Sequence, residues 1–253
     1  MTKPQTMNYE LRITQAVILS AGLGTRLREI TNGDIPKVMV PLAGKPLLEH
    51  HVAELKKYGV RELFVNLHYL PDVIKNYFGD GSKWGVKIHY ALEAPEILGT
   101  AGGIKNFEGM LHDNFFVLYG DTFYKIDYKN LVDFYASRED PIGAGSARET
   151  DHPLDSDLVV PGDDGRVLQF LRKPHKELPE KYLGMSAPYI FSDKVLQYIP
   201  QKKYYEIDHE LVPDLLSRGF KYYTYTLKTG EFRKDIGTPQ RYREVEGYLR
   251  GLK

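Results

Sequence analysis

Arg26 and Lys37 follow a short glycine loop, Ser20-Ala21-Gly22-Leu23-Gly24-Thr25. Two positive charges beside a run of free backbone N–H groups form a site for a polyphosphate. The loop begins where an apolar run, Ala16–Leu19, ends. That run is short, continuous and β-branched at two positions, as a strand buried on both faces is. Gly22 and Gly24 remove two side chains there, so that backbone can approach a phosphate closely. Asp121 lies just after a second apolar run, Phe115–Tyr119. The carboxyl ends of strands form the ligand crevice of open α/β sheets, and a carboxylate there suits Mg²⁺, a hard cation that prefers oxygen. A turn or N-cap aspartate accounts for Asp121 equally well. Asp235 precedes Gly237-Thr238-Pro239. A helix N-terminus explains Thr238 and Pro239 but not Asp235. Lys173, taken alone, reads as a solvated lysine. Gly99-Thr100 reads as a capped helix start, and Gly102-Gly103 inside that helix costs about 2 kcal/mol against alanines, which implies a close ligand or packing partner.

Two familiar phosphate motifs are excluded. The dinucleotide fingerprint needs a third glycine where Leu27 stands. The P-loop needs Ser or Thr after Gly44-Lys45, where Pro46 stands, and a glycine where Met39 stands. The order that is present, Gly22-Leu23-Gly24-Thr25-Arg26-Leu27, then Pro36-Lys37, then Gly44-Lys45-Pro46, resembles the signature of the sugar-1-phosphate nucleotidyltransferases. Similarity around Asp151–His175 is nearest to guanylyltransferases acting on mannose- or heptose-1-phosphate.

The resemblance implies a Rossmann-like α/β fold, a mostly parallel mixed sheet flanked by helices, with a smaller sugar-binding lobe. It implies one domain over 1–253, with a nucleotide-binding half at about 14–146 and a sugar-phosphate half at about 147–253. Its reaction joins an NTP to a sugar-1-phosphate, giving an NDP-sugar and pyrophosphate. In that scheme Ser20–Thr25 cradle the triphosphate, Arg26 holds the leaving phosphates and Lys37 neutralises the α-phosphate. Asp121 and Asp235 hold Mg²⁺. Glu93, Gly99, Thr100 and Gly102 meet the base and ribose. Lys173, Gly184 and Ser186 meet the sugar phosphate. Two departures fall on the acceptor side: Arg172 replaces the usual Glu, and Met185-Ser186-Ala187 replaces Asn-Ala-Gly. Guanine is the preferred base, with cytosine and uracil open, and a homodimer is open. A silent nucleotide-sensing subunit would be expected to lose a metal aspartate or the loop arginine, and this chain keeps them. A related glycosyltransferase would show Asp-x-Asp where Asp121-Thr122-Phe123 stands.

The 253 residues, 42% hydrophobic and 27% charged, suffice for a sizeable core. Lys plus Arg and Asp plus Glu each number 34 and are spread along the chain, which speaks against nucleic acid or a membrane surface as partner. With no cysteine there is no disulfide, thiolate metal site or cysteine nucleophile. No signal-type or membrane-spanning run is present, so a cytoplasmic protein is expected, with residues before Thr14 a loose lead-in. Strands are expected at Ala16–Leu19, Leu63–Leu67, Val86–Tyr90, Phe115–Tyr119 and Ile142–Ser146. The intervening helices begin near Leu47, Pro71, Ala101 (to Leu111) and Leu131. This βαβα rhythm predicts a parallel sheet. A mixed section with strands at Asp157–Val160, Arg166–Leu171 and Tyr189–Phe191 follows. Helices return at Asp193–Tyr198, His209–Ser217 and Pro239–Leu249.

Overall fold

The first apolar run forms β1 (Gln15–Leu19), buried along nearly its whole length at the centre of the sheet. The computed structural model of the protein describes residues 11–150 and 152–251. Most of the lead-in expected before Thr14 lies outside the described residues, but Ile13 is buried in the core. After β1 come α1 (Arg28–Thr31) and a short ribbon, β2 (Pro41–Leu42) and β3 (Lys45–Pro46). Next are α2 (Leu47–Lys57), β4 (Glu62–Leu67), α3 (Pro71–Phe78) and β5 (Lys87–Leu92). Then follow α4 (Gly99–Lys105), β6 (Asn114–Tyr119), β7 (Thr122–Lys125), α5 (Tyr128–Ala136) and β8 (Pro141–Arg148). The second half holds β9 (Leu158–Pro161), β10 (Val167–Leu171), β11 (Leu183–Ser192), α6 (Val212–Ser217), β12 (Lys221–Thr226), β13 (Phe232–Asp235) and α7 (Pro239–Gly251).

One sheet runs through both halves in the order β10-β9-β11-β6-β1-β4-β5, with β8 beside β11 and β12 beside β8. Strands β5, β4, β1 and β6 are mutually parallel. The inner three, β4, β1 and β6, are mostly apolar and buried, as strands with both faces covered are, while β5 lies at the edge and is more polar. Strand β11 turns the direction, running antiparallel to β6, β8 and β9. Helix α2 buries Leu47, Leu48, His51, Val52 and Leu55, and carries Glu49 in its first turn and Lys56 and Lys57 in its last, the polarity its dipole favours. No helix of the described residues is long and apolar enough to cross a membrane.

Several elements differ from the expected ones for identifiable reasons. The helix expected over Ala101–Leu111 ends at Lys105, and the chain turns through Phe107 and Gly109 to bury Phe107 and Leu111. The helix expected from His209 begins as a π-turn, Ile207–Leu211, before α6. Pro213, at the start of α6, has no N–H to continue the ordinary ladder backwards. Strands β7, β12 and β13 were not expected. Strand β12 adds a parallel pair to β8, and β7 and β13 form a separate antiparallel ribbon.

Beside the main core sits a small second one, made of Leu27, Val40, Leu42, Leu47, Phe123, Ile236 and Val245. It fastens α7 and the β7–β13 ribbon to the loop that follows β1.

Close packing behind the loop is tightest at Gly103. A Cβ there would lie 2.5 Å from Asn66 Nδ2 and 3.1 Å from Glu93 Oε1. Gly103→Ala should therefore cost about 1–3 kcal/mol through overpacking, despite alanine's better helix propensity. Urea denaturation measures this; an unchanged or higher midpoint would show that the crossing is looser than described.

Candidate active site

Each charged residue of the site stands within two positions of a buried apolar one. Arg26 precedes Leu27, Lys37 precedes Val38, Asp235 precedes Ile236, and Asp121 stands two residues before Phe123. Burial of the neighbours fixes the backbone, and the backbone aims the charges. Strand β13 pairs with β7 so that Asp235 lies opposite Thr122, and Ile236 N donates to Asp121 O at 2.9 Å. The two aspartates thus arrive on adjoining backbones although 114 positions separate them in sequence.

The point of convergence is Gly237. A Cβ built on it would meet Asp235 Oδ1 at 2.7 Å, Lys37 Nζ at 3.4 Å and Arg26 Nη2 at 3.5 Å. Lys37, almost fully buried, forms a close ion pair with Asp121 Oδ2. Asp235 accepts two bonds from Arg241 Nη1, at 2.9 and 2.8 Å, and one from Gly237 N at 2.9 Å.

The loop itself lines a cavity of about 480 Å³. Residues 20–26, Lys37, Gly99, Thr100 and Asp121 all face it. Gly24 takes φ +62°, and its Cα packs where a Cβ would lie 3.1 Å from Lys37 Cβ, so glycine there sets the turn and admits the lysine. Gly22 has no neighbour within 4 Å of such a Cβ. The loop is anchored from behind: Ser20 N donates to Asn66 Oδ1 at 2.7 Å, and Asn66 Nδ2 donates to Glu93 Oε1 at 2.8 Å.

That anchoring revises the expectation for Glu93. Its carboxylate is buried, with Oε1 accepting from Asn66 and Asn106 and Oε2 from Leu98 N at 2.8 Å. It braces the cavity wall from behind and does not itself line the cavity. Gly102 is likewise accounted for by packing. A Cβ on it would strike Lys203 O at 2.9 Å, and one on Gly99 would strike Tyr205 O at 2.7 Å. The segment 203–205 crosses α4 there and takes bonds from Ala101 N and Gly102 N onto Tyr205 O. Thr100 Oγ1 accepts from Ile207 N at 2.8 Å, so it caps the π-turn while facing the cavity.

A second cavity of about 430 Å³ adjoins the first, with Lys173, Gly184, Ser186 and Asp235 on its walls. Asp121 lines one cavity and Thr122 the other; Gly237 lines one and Asp235 the other. Arg172 is exposed and does not line it. Asp157 links Lys173 N, at 3.2 Å, to His209 Nε2, at 2.9 Å. Between the cavities, Tyr119 and Tyr189 donate to the two oxygens of Asp208 at 2.7 and 2.6 Å; burial raises this carboxyl's pKa above the usual range, against the pull of the tyrosines. Arg148, Asp208 and Arg233, which also line this cavity, were not singled out from sequence. The signal available was the period of two that places residues 233 and 235 on one face of a strand.

The chain matches the model of the Nucleotidyl transferase family over residues 15–250, and it belongs to that family. It is 32% identical over 250 residues to a UTP–glucose-1-phosphate uridylyltransferase of Synechocystis, covering 93% of this chain and 63% of the relative. It is 34% identical over 227 residues to a mannose-1-phosphate guanylyltransferase of Mycobacterium tuberculosis, covering 89% and 61%. The chain thus spans under two thirds of these relatives' length. Among solved structures, HddC from Yersinia pseudotuberculosis complexed with GMP-PN superposes with a TM-score of 0.72 at 28% identity, over 94% of this chain and all of that one. The fold is that of the NDP-sugar transferases, a mixed α/β sheet flanked by helices.

Behind Asp121, His51 Nε2 lies 3.2 Å from Gly120 O, which places the ring proton on Nε2. Burial holds its pKa down to about 4, more strongly than the carbonyl raises it. Below the ordinary value near 6.5, the unfolded chain takes up a proton that the folded protein refuses. Stability therefore falls with pH between about 6.5 and 4, by about 2 kcal/mol from pH 7 to pH 5. Subtracting the pH dependence of His51→Gln from that of the wild type, in urea denaturation, isolates this contribution; two parallel curves would contradict it.

Proposed function

We propose that this protein transfers a nucleotidyl group from an NTP to a sugar-1-phosphate, releasing pyrophosphate. The observation that carries this reading is the meeting of Arg26, Lys37 and Asp235 around Gly237, with Asp121 paired to Lys37, at the junction of two cavities. One cavity accommodates the NTP and the other the sugar phosphate. A phosphate oxygen of the acceptor attacks the α-phosphorus, and the bond to the β-phosphate oxygen breaks. The attacking oxygen is already anionic at neutral pH, so no general base is required, and the β-phosphate oxygen leaves with the bonding pair as pyrophosphate. The barrier is repulsion between two polyanions, and catalysis is positioning and charge neutralisation. Backbone N–H groups of the loop cradle the triphosphate, Arg26 takes the departing β- and γ-phosphates, and Lys37 neutralises the α-phosphate.

Asp121 and Asp235 are the residues that would hold Mg²⁺. Both are hard oxygen donors on adjoining backbones, and each is now neutralised by a cation, Lys37 or Arg241. No group of three or more His, Cys, Asp or Glu gathers as a metal site among the described residues. This fits an ion held jointly by two carboxylates and the substrate's phosphates. When bound, Mg²⁺ supplies further neutralisation of phosphate charge.

Guanine as base is supported by the guanylyltransferase relative and the HddC structure holding GMP-PN, and a mannose-type acceptor by the relative. The uridylyltransferase relative supports UTP as the second reading. Pyrophosphate release across a panel of NTPs and sugar-1-phosphates decides between them. Release with no pair would overturn the function.

In the pair that works, Arg26→Ala and Asp121→Asn should each lower kcat about a hundredfold or more, equivalent to about 3 kcal/mol. Melting temperatures should stay near wild type, because both side chains are partly exposed and outside the core. Near wild-type turnover in either variant would remove that residue from the mechanism.

A further inference from the structure

The acceptor cavity contains a buried cation that the reading above does not use. Arg233 is only 8% exposed, yet its side chain reaches a wall of the second cavity. Its guanidinium donates to neutral oxygens, from Nη1 to Ser146 Oγ at 2.6 Å and from Nη2 to Gly184 O at 3.0 Å. No carboxylate pairs with it among the described residues. Asp208 is close enough for its charge to be felt, but that carboxylate is committed to Tyr119 and Tyr189.

A second arginine stands beside it. Arg148, at the end of β8, is the register partner of Gly184, whose carbonyl accepts from Arg233. It is exposed, it lines the same cavity, and no carboxylate pairs with it among the described residues. Both guanidinium groups are charged at neutral pH. Two guanidinium groups held together without an anion are costly, and such an arrangement is relieved by a dianion that matches their fork geometry. The other cations of the cavity are differently placed. Lys234 pairs with Glu244 and Arg241 with Asp235, and Lys173 is exposed.

Position completes the case. Arg233 and Asp235 are two apart on β13 and share a face, about 7 Å apart along the strand. Phe232, one residue before Arg233 on the opposite face of the strand, packs the other way against Phe123 and Tyr248, with ring centroids 5.8 and 4.5 Å away. An anion on Arg233 is thereby one short step from Asp235 and, through it, from Lys37.

We propose that Arg233 and Arg148 form the anion clamp of the acceptor cavity and grip the acceptor's phosphate, with Lys173 in a lesser role. The proposal rests on the nucleotidyl-transfer reading for the identity of the anion. Arg233→Met, Arg233→Lys and Arg148→Met test it by steady-state kinetics with the NTP and sugar-1-phosphate pair that the wild type uses. The expected result for Arg233→Met is a rise of tenfold or more in KM for the sugar phosphate, with KM for the NTP changed less than twofold. Arg233→Lys should recover part of the loss, and Arg148→Met should shift the same constant by a smaller factor without altering the melting temperature. A sugar-phosphate KM unchanged in both methionine variants would overturn the proposal, as would equal rises in both KM values. Calorimetric titration with inorganic phosphate in an Arg26→Ala background needs no turnover. There Arg233→Met should weaken phosphate binding at least tenfold, and an unchanged affinity would overturn the clamp. If the wild type turned over no pair at all, the function would fail while this titration still decided the clamp.

Discussion

The backbone hydrogen bond from Ile236 N to Asp121 O continues the β7–β13 pairing and sets the two aspartates on adjoining backbones. It closes the ribbon of β7 and β13, strands that pair only with each other among the described residues. On one side of the ribbon Phe123 and Ile236 enter the small core with Leu27 and Val40. On the other, the carboxylates of Asp121 and Asp235 face the two cavities. The same few apolar contacts therefore set the loop that carries Arg26 and the strand that carries Asp235. A shift of β13 by one residue would reverse which side chains face the core, and the cluster would dissolve.

The charges around that junction are of two kinds. Lys37 with Asp121, and Arg241 with Asp235, are pairs whose carboxylates remain more than a third exposed. The Arg241–Asp235 pair is exposed on both sides and contributes little to stability, whereas Lys37 is buried behind its aspartate. Both pairs keep each group charged and aimed, and a polyanion that displaced Asp121 would take its place beside Lys37. Arg233 is of the other kind. It sits inside the protein on neutral acceptors, so its charge is uncompensated until an anion arrives. In the proposed reaction, paired charges on the first cavity and surplus positive charge on the second are what bringing two polyanions together demands.

The legible parts of the sequence were those whose signal is local. Strands β1, β4 and β6 are built on short apolar runs, broken in β4 only by Asn66, and α2 shows its buried stripe and its glycine stop. The loop and its two cations stand out because glycine and charge are packed into few residues. What escaped depends on partners far away in the chain. Strand β13 reads Phe-Arg-Lys-Asp, and nothing in those four residues says that Arg233 is buried; Ser146 and Gly184 decide that. Glu93 looked free to meet a base because Asn66 and Asn106, which hold its carboxylate, are 27 and 13 positions away. Gly99 and Gly102 were rightly read as positions of close approach, but the approaching group is the segment 203–205 of the chain itself. Strand β12, Lys-Tyr-Tyr-Thr-Tyr-Thr, did carry a local signal, an aromatic and β-branched run.

The central claim is that residues 121 and 235 act on one group at one point. A double-mutant cycle on kcat/KM for nucleotidyl transfer, with Asp121→Asn, Asp235→Asn and the double variant, tests it directly. If both carboxylates serve the same phosphate and ion, the second substitution should cost far less in the background of the first, with a coupling of at least tenfold. Losses that multiply independently would place the two aspartates at separate tasks and contradict the account.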